Sequence, residues 1–372
     1  MNCLLTGATG IVGSHILFEW LQKALVSKTV DHLYLLVRET KISAYQRVLN
    51  IVNDVSRPKF MDQFSTEDCL KKITVIASDV SSLTSNKLKQ FDFTNVIHCA
   101  GSTNLTLNNE TKEQVYTENY EVTQYLLGVL PNYVSRFIYI STAFSFGIQD
   151  EIVKEDMPNF TATKFRNPYE NSKYDSEIMV KRICKEKNIN TQILRPSIVC
   201  GRLIEAPFFE TPKFDVFYSW AIFLDKYSKR AEDTFRIWID KASGLNIVPV
   251  DFVAKAILYA YETPKIKELN IINPQKILHK TYVGDVLRRF NVTNFEYVAN
   301  KPENLNIFEQ LYYKTLGNVF EKYISIPDLK FDTELISKLI KDLNLDYSLG
   351  VHQNFMKLID FSVEKEFRKS YI

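Results

Sequence analysis

Eight residues near the N-terminus constrain the fold more than any others: Thr6-Gly7-Ala8-Thr9-Gly10-Ile11-Val12-Gly13. They follow a short apolar run, residues 2–5, and open a stretch of helical spacing over residues 11–25. Gly7 suits a tight turn, Gly10 lets the backbone come close to a pyrophosphate, and Gly13 lets helix pack onto strand. The helix start then offers free N–H groups and a partial positive charge to phosphates. A glycine turn taken alone serves chain reversal equally well. The strand before it and the helix after it make it a nucleotide-binding turn.

The same alternation continues through the first two thirds of the chain. Apolar β-type runs recur at 33–37, 73–76, 95–98, 136–140 and 191–194, with helical stretches such as 174–187 among them. The runs lack polar alternation, as strands buried on both faces do. The pattern predicts an α/β chain: a Rossmann-type, doubly wound parallel sheet covered by helices. After Gly201 the pattern changes. Residues 202–245 are rich in Phe, Pro and Trp and hold a helix-like run at 215–229. Residues 247–253 return to the core, and a helix is predicted over 252–262. Further helical runs fall at 308–323 and 333–343. The expected division is a Rossmann domain of residues 1–201 plus 246–264, and a smaller, mainly helical substrate lobe of 202–245 plus 265–372.

Composition removes several classes. Of 372 residues, 45% are hydrophobic and 24% charged, the balance of a packed chain rather than a disordered one. Lys and Arg number 46 against 44 Asp and Glu, a net charge of +2, which recommends neither nucleic acid nor a membrane surface as partner. No apolar run approaches the roughly 20 residues of a membrane span. Cys3, Cys69, Cys99, Cys184 and Cys200 have no ligand-like spacing. No metal site or disulfide framework is therefore expected, and the expected compartment is the reducing cytoplasm.

Two places carry chemistry. At the end of the second strand an NAD site usually has an acidic residue, but this chain has Arg38, with Arg47 on the helix after it. A guanidinium fork suits the 2′-phosphate of NADPH; the neighbouring Glu39 keeps NAD as the alternative. Further on, Tyr169 and Lys173 lie four apart, on one face of a helix. A lysine one turn away is expected to stabilise the phenolate and bring Tyr169 toward the working pH. Upstream, Ser141-Thr142-Ala143 ends a strand, where an open α/β sheet places its site. His98 and Cys99 end another strand and read as packing residues.

With these residues in view, the chain resembles the extended short-chain dehydrogenase/reductase superfamily over roughly residues 1–262. The resemblance rests on the turn at 6–13, Asp79-Val80 after the third strand, Ala100-Gly101, Asn119, the Ser-Thr strand end, Tyr169-x-x-x-Lys173 and Arg195-Pro196. It implies Thr142, Tyr169 and Lys173 as the catalytic set. It also implies cofactor contacts from Thr6, Gly7, Thr9, Gly10, Ile11, Val12, Gly13, Arg38, Arg47, Asp79, Val80, Ala100, Gly101, Lys173, Pro196, Ser197 and Ile198.

Two departures narrow the reaction. Sugar-nucleotide dehydratases carry Asp-Glu after the catalytic Thr, where this chain has Ala143-Phe144. The epimerases usually show Asn where this chain has Ile198. Leu35-Leu36-Val37-Arg38 with Arg47, Ser141-Thr142-Ala143, and Ile247-Val248-Pro249-Val250-Asp251 are similar to the thioester reductase, or male-sterility, branch. That branch includes fatty acyl-CoA reductases and the terminal reductase domains of carboxylic acid reductases and peptide synthetases. The resemblance implies NADPH-driven reduction of an acyl thioester, on coenzyme A or an acyl carrier protein, to aldehyde or alcohol. The rival readings are an epimerase or a ketone- or hydroxysteroid-type dehydrogenase, and a non-catalytic NADP sensor. Phe208, Phe209, Phe214, Phe217 and Trp220 are the candidate lining of an acyl pocket, with a Phe- and Tyr-rich core as the plainer reading.

Overall fold

The computed structural model describes residues 2–156 and 161–371. Its centre is a seven-stranded, wholly parallel sheet: β1 (Cys3–Thr6), β2 (Leu33–Val37), β3 (Ile73–Ala77), β4 (Asn95–His98), β5 (Arg136–Ile140), β6 (Asn190–Pro196) and β7 (Glu268–Ile271). The order across the sheet is β3-β2-β1-β4-β5-β6-β7. Successive side chains feed two separate cores. Cys3 and Leu5 of β1 enter one and Leu4 the other, and in β5 Ile138 and Ile140 oppose Phe137 and Tyr139. Burial on both faces explains why these strands are apolar throughout. The strand order reverses between β1 and β4, which opens a crevice at their C-terminal ends.

Helix α1 (Ile11–Gln22) leaves the glycine turn and buries Ile16, Leu17, Trp20 and Leu21. It packs on the helix Val250–Glu262, where Trp20 meets Tyr261 edge-on at 5.1 Å. Helix α2 (Pro168–Glu186) starts firmly. Asn167 caps it by accepting from the Glu170 N–H, and Pro168 occupies the first turn, where a missing N–H costs nothing.

The sheet reaches past the expected boundary at 264, because β7 pairs with β6. The remaining lobe is mainly helical, with short strand pairs such as Phe235–Trp238 beside Phe295–Val298. Helix α3 (Tyr218–Tyr227) packs on His279–Arg289, on Val351–Glu364 and on α4 (Leu316–Ile324). The single helical run expected at 308–323 is two helices, broken at Thr315, whose φ and ψ of −112° and −95° are not helical.

Candidate active site

A cavity of about 390 Å³ lies between the C-terminal ends of the strands and the lobe. Gly7, Gly10, Ile11, Val12 and Gly13 form one wall. Gly7 has φ of +75°, and a Cβ there would lie 2.7 Å from the Ala100 nitrogen. At Gly13 a Cβ would lie 2.0 Å from the Gly7 carbonyl oxygen. Side chains are excluded at both positions by backbone. The Thr6 hydroxyl accepts from the Ala100 N–H (3.2 Å) and hydrogen-bonds His98 Nδ1 (2.7 Å), joining β1 to β4. His98 Nε2 is bonded to the Thr123 hydroxyl, and burial pushes the imidazole down to about 3. It is a neutral packing histidine, as its place at a strand end suggested.

Thr142, Tyr169 and Lys173 come together on the same cavity. Lys173 Nζ donates to the Ile140 carbonyl (2.7 Å) and stands 4.3 Å from the centre of the Tyr139 ring. Burial lowers the Lys173 pKa, while Tyr169 and Glu177 partly restore it. Burial also raises Tyr169 above the ordinary phenol value, and the Lys173 charge and a Thr142 hydrogen bond oppose the rise without reversing it. Lys173 thus pulls Tyr169 in the expected direction, while burial sets the net direction upward. A desolvated ammonium stabilises the phenolate less than desolvation of the phenol destabilises it. Tyr169 therefore holds its proton and can give it up as an acid.

Thr142 and Ser141 part company at the end of β5. The Ser141 hydroxyl donates to Glu177 at 2.5 Å, as does that of Ser145 at 2.7 Å. Glu177 is also gripped by Arg195 Nε and Nη2, and Arg195 pairs in turn with Glu268. Glu177 thus fixes the residues on either side of Thr142. The Thr142 hydroxyl accepts from the Phe144 N–H (3.3 Å), approaches the Tyr169 hydroxyl and faces the cavity. Asn119 holds the opposite loop, accepting from the Ser102 N–H (2.8 Å) and donating to the Ser172 hydroxyl (2.9 Å). Cys99 lines the cavity too, but burial pushes its thiol up to about 12.

At the far end of the glycine wall, Arg47 Nη2 donates to the Thr9 hydroxyl and Nη1 to the Arg38 carbonyl, both at 2.9 Å. Arg38 is exposed beside it. Glu39 accepts from the Ala44 N–H (3.1 Å) and is spent on the start of the helix Ala44–Val52. Asp79 caps its own turn through Ser81 (3.0 Å), directly ahead of Val80, with the Arg38 charge among the causes that lower its pKa. Ala100 meets the turn through its N–H, and Gly101 lines the cavity with Pro196, Ser197 and Ile198. The Ser197 hydroxyl donates to the Asn246 carbonyl at 2.8 Å.

The lobe supplies the other wall, and here sequence reasoning did less well. Of the aromatic candidates, Phe217 and Trp220 line the cavity. Phe208 is exposed, while Phe209 and Phe214 pack against Phe361. Leu245, Tyr282, Phe320, Tyr323 and Ile324 line it without having been expected. Phe320, Tyr323 and Ile324 share α4, while Leu245 and Tyr282 come from two other segments, with no common motif. The Tyr323 hydroxyl donates to Glu170 (2.8 Å) and accepts from the Asn167 amide (2.5 Å), so α4 clamps the first turn of α2 beside Tyr169.

The sequence model of the male sterility protein family matches residues 5–257. The chain belongs to this family. It is thereby an NAD(P)-dependent oxidoreductase of the extended short-chain dehydrogenase/reductase type. No curated protein sequence matches it. Among solved structures, it is similar to a thiolation-reductase di-domain from an archaeal non-ribosomal peptide synthetase. That match has TM-score 0.68 and 19% identity, over 98% of this chain and 91% of the other. The terminal R domain of the myxalamid PKS-NRPS pathway matches with TM-score 0.67 and 18% identity, over 99% and 92%. UDP-glucuronic acid 4-epimerase from Bacillus cereus matches with TM-score 0.56 and 21% identity, over 80% and 87%. At such identities the likeness speaks for the shared fold. Among the described residues of this male sterility family member, no helix is long and apolar enough to cross a membrane.

Proposed function

We propose that the chain is an NADPH-dependent reductase of an acyl thioester, carried on coenzyme A or an acyl carrier protein, to aldehyde or alcohol. One observation carries the reading. One cavity is lined by the glycine turn, by Thr142, Tyr169 and Lys173, and by apolar side chains of the lobe.

The residues present fit a dinucleotide. Helix α1 starts at Gly10 without a side-chain cap and without an acidic residue in its first turn, whereas Ser43 and Asn167 cap theirs. Uncapped N–H groups at Ile11, Val12 and Gly13 suit a pyrophosphate. Thr6, Gly7, Gly10, Ala100 and Gly101 shape the backbone around it. Arg38 and Arg47, flanking Thr9, suit a 2′-phosphate, and with Glu39 engaged elsewhere the carboxylate expected for NAD is missing. Asp79 and Val80 would bound the adenine; Pro196, Ser197 and Ile198 would bound the nicotinamide, with Lys173 at its ribose.

A reduced nicotinamide bound there supplies hydride to the thioester carbonyl carbon. Tyr169 donates its proton to the carbonyl oxygen, Thr142 hydrogen-bonds that oxygen, and Lys173 steadies the charge that develops on Tyr169. The hydroxyl proton passes to sulfur as the carbon–sulfur bond breaks, releasing aldehyde and thiol. Reduction on to the alcohol would take a second NADPH and a second proton.

The test is net NADPH consumption with product identification by mass spectrometry, across acyl-CoA and acyl-carrier thioesters, ketones and sugar nucleotides. Aldehyde or alcohol released from a thioester is the expected result. Conversion of a sugar nucleotide without net consumption, or reduction of ketones alone, would overturn the reading.

A further inference from the structure

We infer that the closed end of the cavity selects acyl groups with an apolar, unsubstituted terminus, and that Trp220 and Leu245 set their length; this rests on the thioester reading above. The cavity has a wet rim and a dry floor. Lys213 at the rim is 63% exposed and paired with Asp215 at 2.8 Å. Trp220, Tyr282 and Ile324 at the floor are 1%, 2% and 1% exposed. Leu245 and Phe217 complete that floor.

The floor is poor in polar atoms: its side chains carry the Trp220 indole N–H and the Tyr282 hydroxyl. The Tyr282 hydroxyl lies 3.3 Å from His279 Nδ1. It is thereby turned toward His279, and apart from the Trp220 N–H the rest of the floor is hydrocarbon. A hydroxyl, amide or charge arriving there would be stripped of water and left unpaired, a penalty a methyl or phenyl terminus does not meet. Nearer the reacting carbonyl, an ammonium would fare no better. Asp215 is the one carboxylate lining the cavity among the described residues, and Lys213 holds it. Glu170, behind Tyr169, is taken by the Arg166 N–H (3.0 Å) and by Tyr323.

The floor is also backed, so it cannot yield to a longer chain. Trp220 lies against Tyr312 at 5.3 Å, and Tyr282 and Phe217 lie against Phe355 at 5.6 and 5.3 Å. Packing of that density transmits strain rather than absorbing an extra methylene. Affinity should therefore climb with chain length while methylenes are being buried, by about fourfold each, and fall once the terminus reaches Trp220.

The experiment measures kcat/KM with NADPH for straight-chain acyl-CoA thioesters from acetyl to palmitoyl, and for ω-hydroxyacyl and aminoacyl thioesters of matching length. The wild-type enzyme should show an optimum followed by a sharp drop, with ω-hydroxyacyl and aminoacyl substrates at least about tenfold poorer than their parents. Trp220→Leu should move the drop to longer chains and leave KM for NADPH unchanged. Leu245→Ala, a smaller deletion, should move it the same way if Trp220→Leu fails to fold. An unmoved drop in the folded variant, or polar termini accepted as well as apolar ones, overturns the inference while the thioester reading stands. Absence of reduction with every thioester overturns that reading itself, and the inference with it.

Discussion

The two walls of the cavity are made in different ways. The Rossmann wall is backbone: a turn in which Gly7 and Gly13 have no room for a Cβ, an uncapped helix start, and strand ends that deliver Thr142 and Gly101. The lobe wall is side chain: Phe217, Trp220, Leu245, Tyr282, Tyr323 and Ile324, brought from several stretches of sequence. Backbone walls bind what every dinucleotide offers, phosphates and ribose. Side-chain walls can be resized one residue at a time, so they are where one relative's substrate differs from another's. Tyr169 falls on the seam, on α2, whose first turn is clamped by Tyr323 from the lobe.

Substitutions should separate the two walls. The largest effect is expected at the seam. Tyr169→Phe should lower kcat by about 1,000-fold with NADPH affinity nearly unchanged by fluorescence titration. An active variant would move the acid elsewhere. Next comes the backbone wall, where Arg47→Ala or Arg38→Ala should weaken NADPH by about tenfold to a hundredfold and leave NADH alone. Equal losses for the two cofactors would mean that neither arginine reads the 2′-phosphate.

Acid should act on both walls, through histidines kept neutral by burial. His15 and His98 in the Rossmann half lie near 3, and His279 in the lobe near 4, against an ordinary 6.5. Below about pH 6.5 the unfolded chain takes up protons that the native one refuses. Each histidine then subtracts about 1.4 kcal/mol of stability per pH unit until its native value is reached. Urea unfolding from pH 7 to 5 should show this, and His98→Gln should remove about one proton from the slope.

Smaller still, Tyr323→Phe should cost about 1 kcal/mol of stability and several-fold in kcat, because Asn167 and Glu170 lose a shared partner beside Tyr169. A loss in stability with kcat unchanged would make the clamp merely structural. Phe208→Ser, at an exposed position that sequence reasoning had offered as lining, should change neither rate nor stability beyond about 0.5 kcal/mol.

Legibility in the sequence follows the same seam. Six of the seven sheet strands, the glycine turn and the Tyr-Lys spacing are local signals, each contained within a few residues of chain. The seventh strand, Glu268–Ile271, is four residues long and lies beyond a change of pattern, so nothing local marked it. Of the aromatic run after Gly201, only Phe217 and Trp220 face the cavity, because composition marks a residue as apolar without saying which apolar surface it joins. Glu177, which holds Ser141 and Ser145 but not Thr142, looks in sequence like any helical glutamate.

By itself the sequence determined the fold class, the glycine turn and the Tyr-Lys spacing, since turn conformation, strand burial and i to i+4 spacing depend on neighbours along the chain. Only the tertiary structure decided that burial outweighs Lys173 at Tyr169, that Glu39 is occupied while Arg47 reaches Thr9, and that Trp220 and Tyr282 line the cavity. Those outcomes depend on desolvation and on hydrogen bonds between residues distant in sequence, and neither exists until the chain has packed.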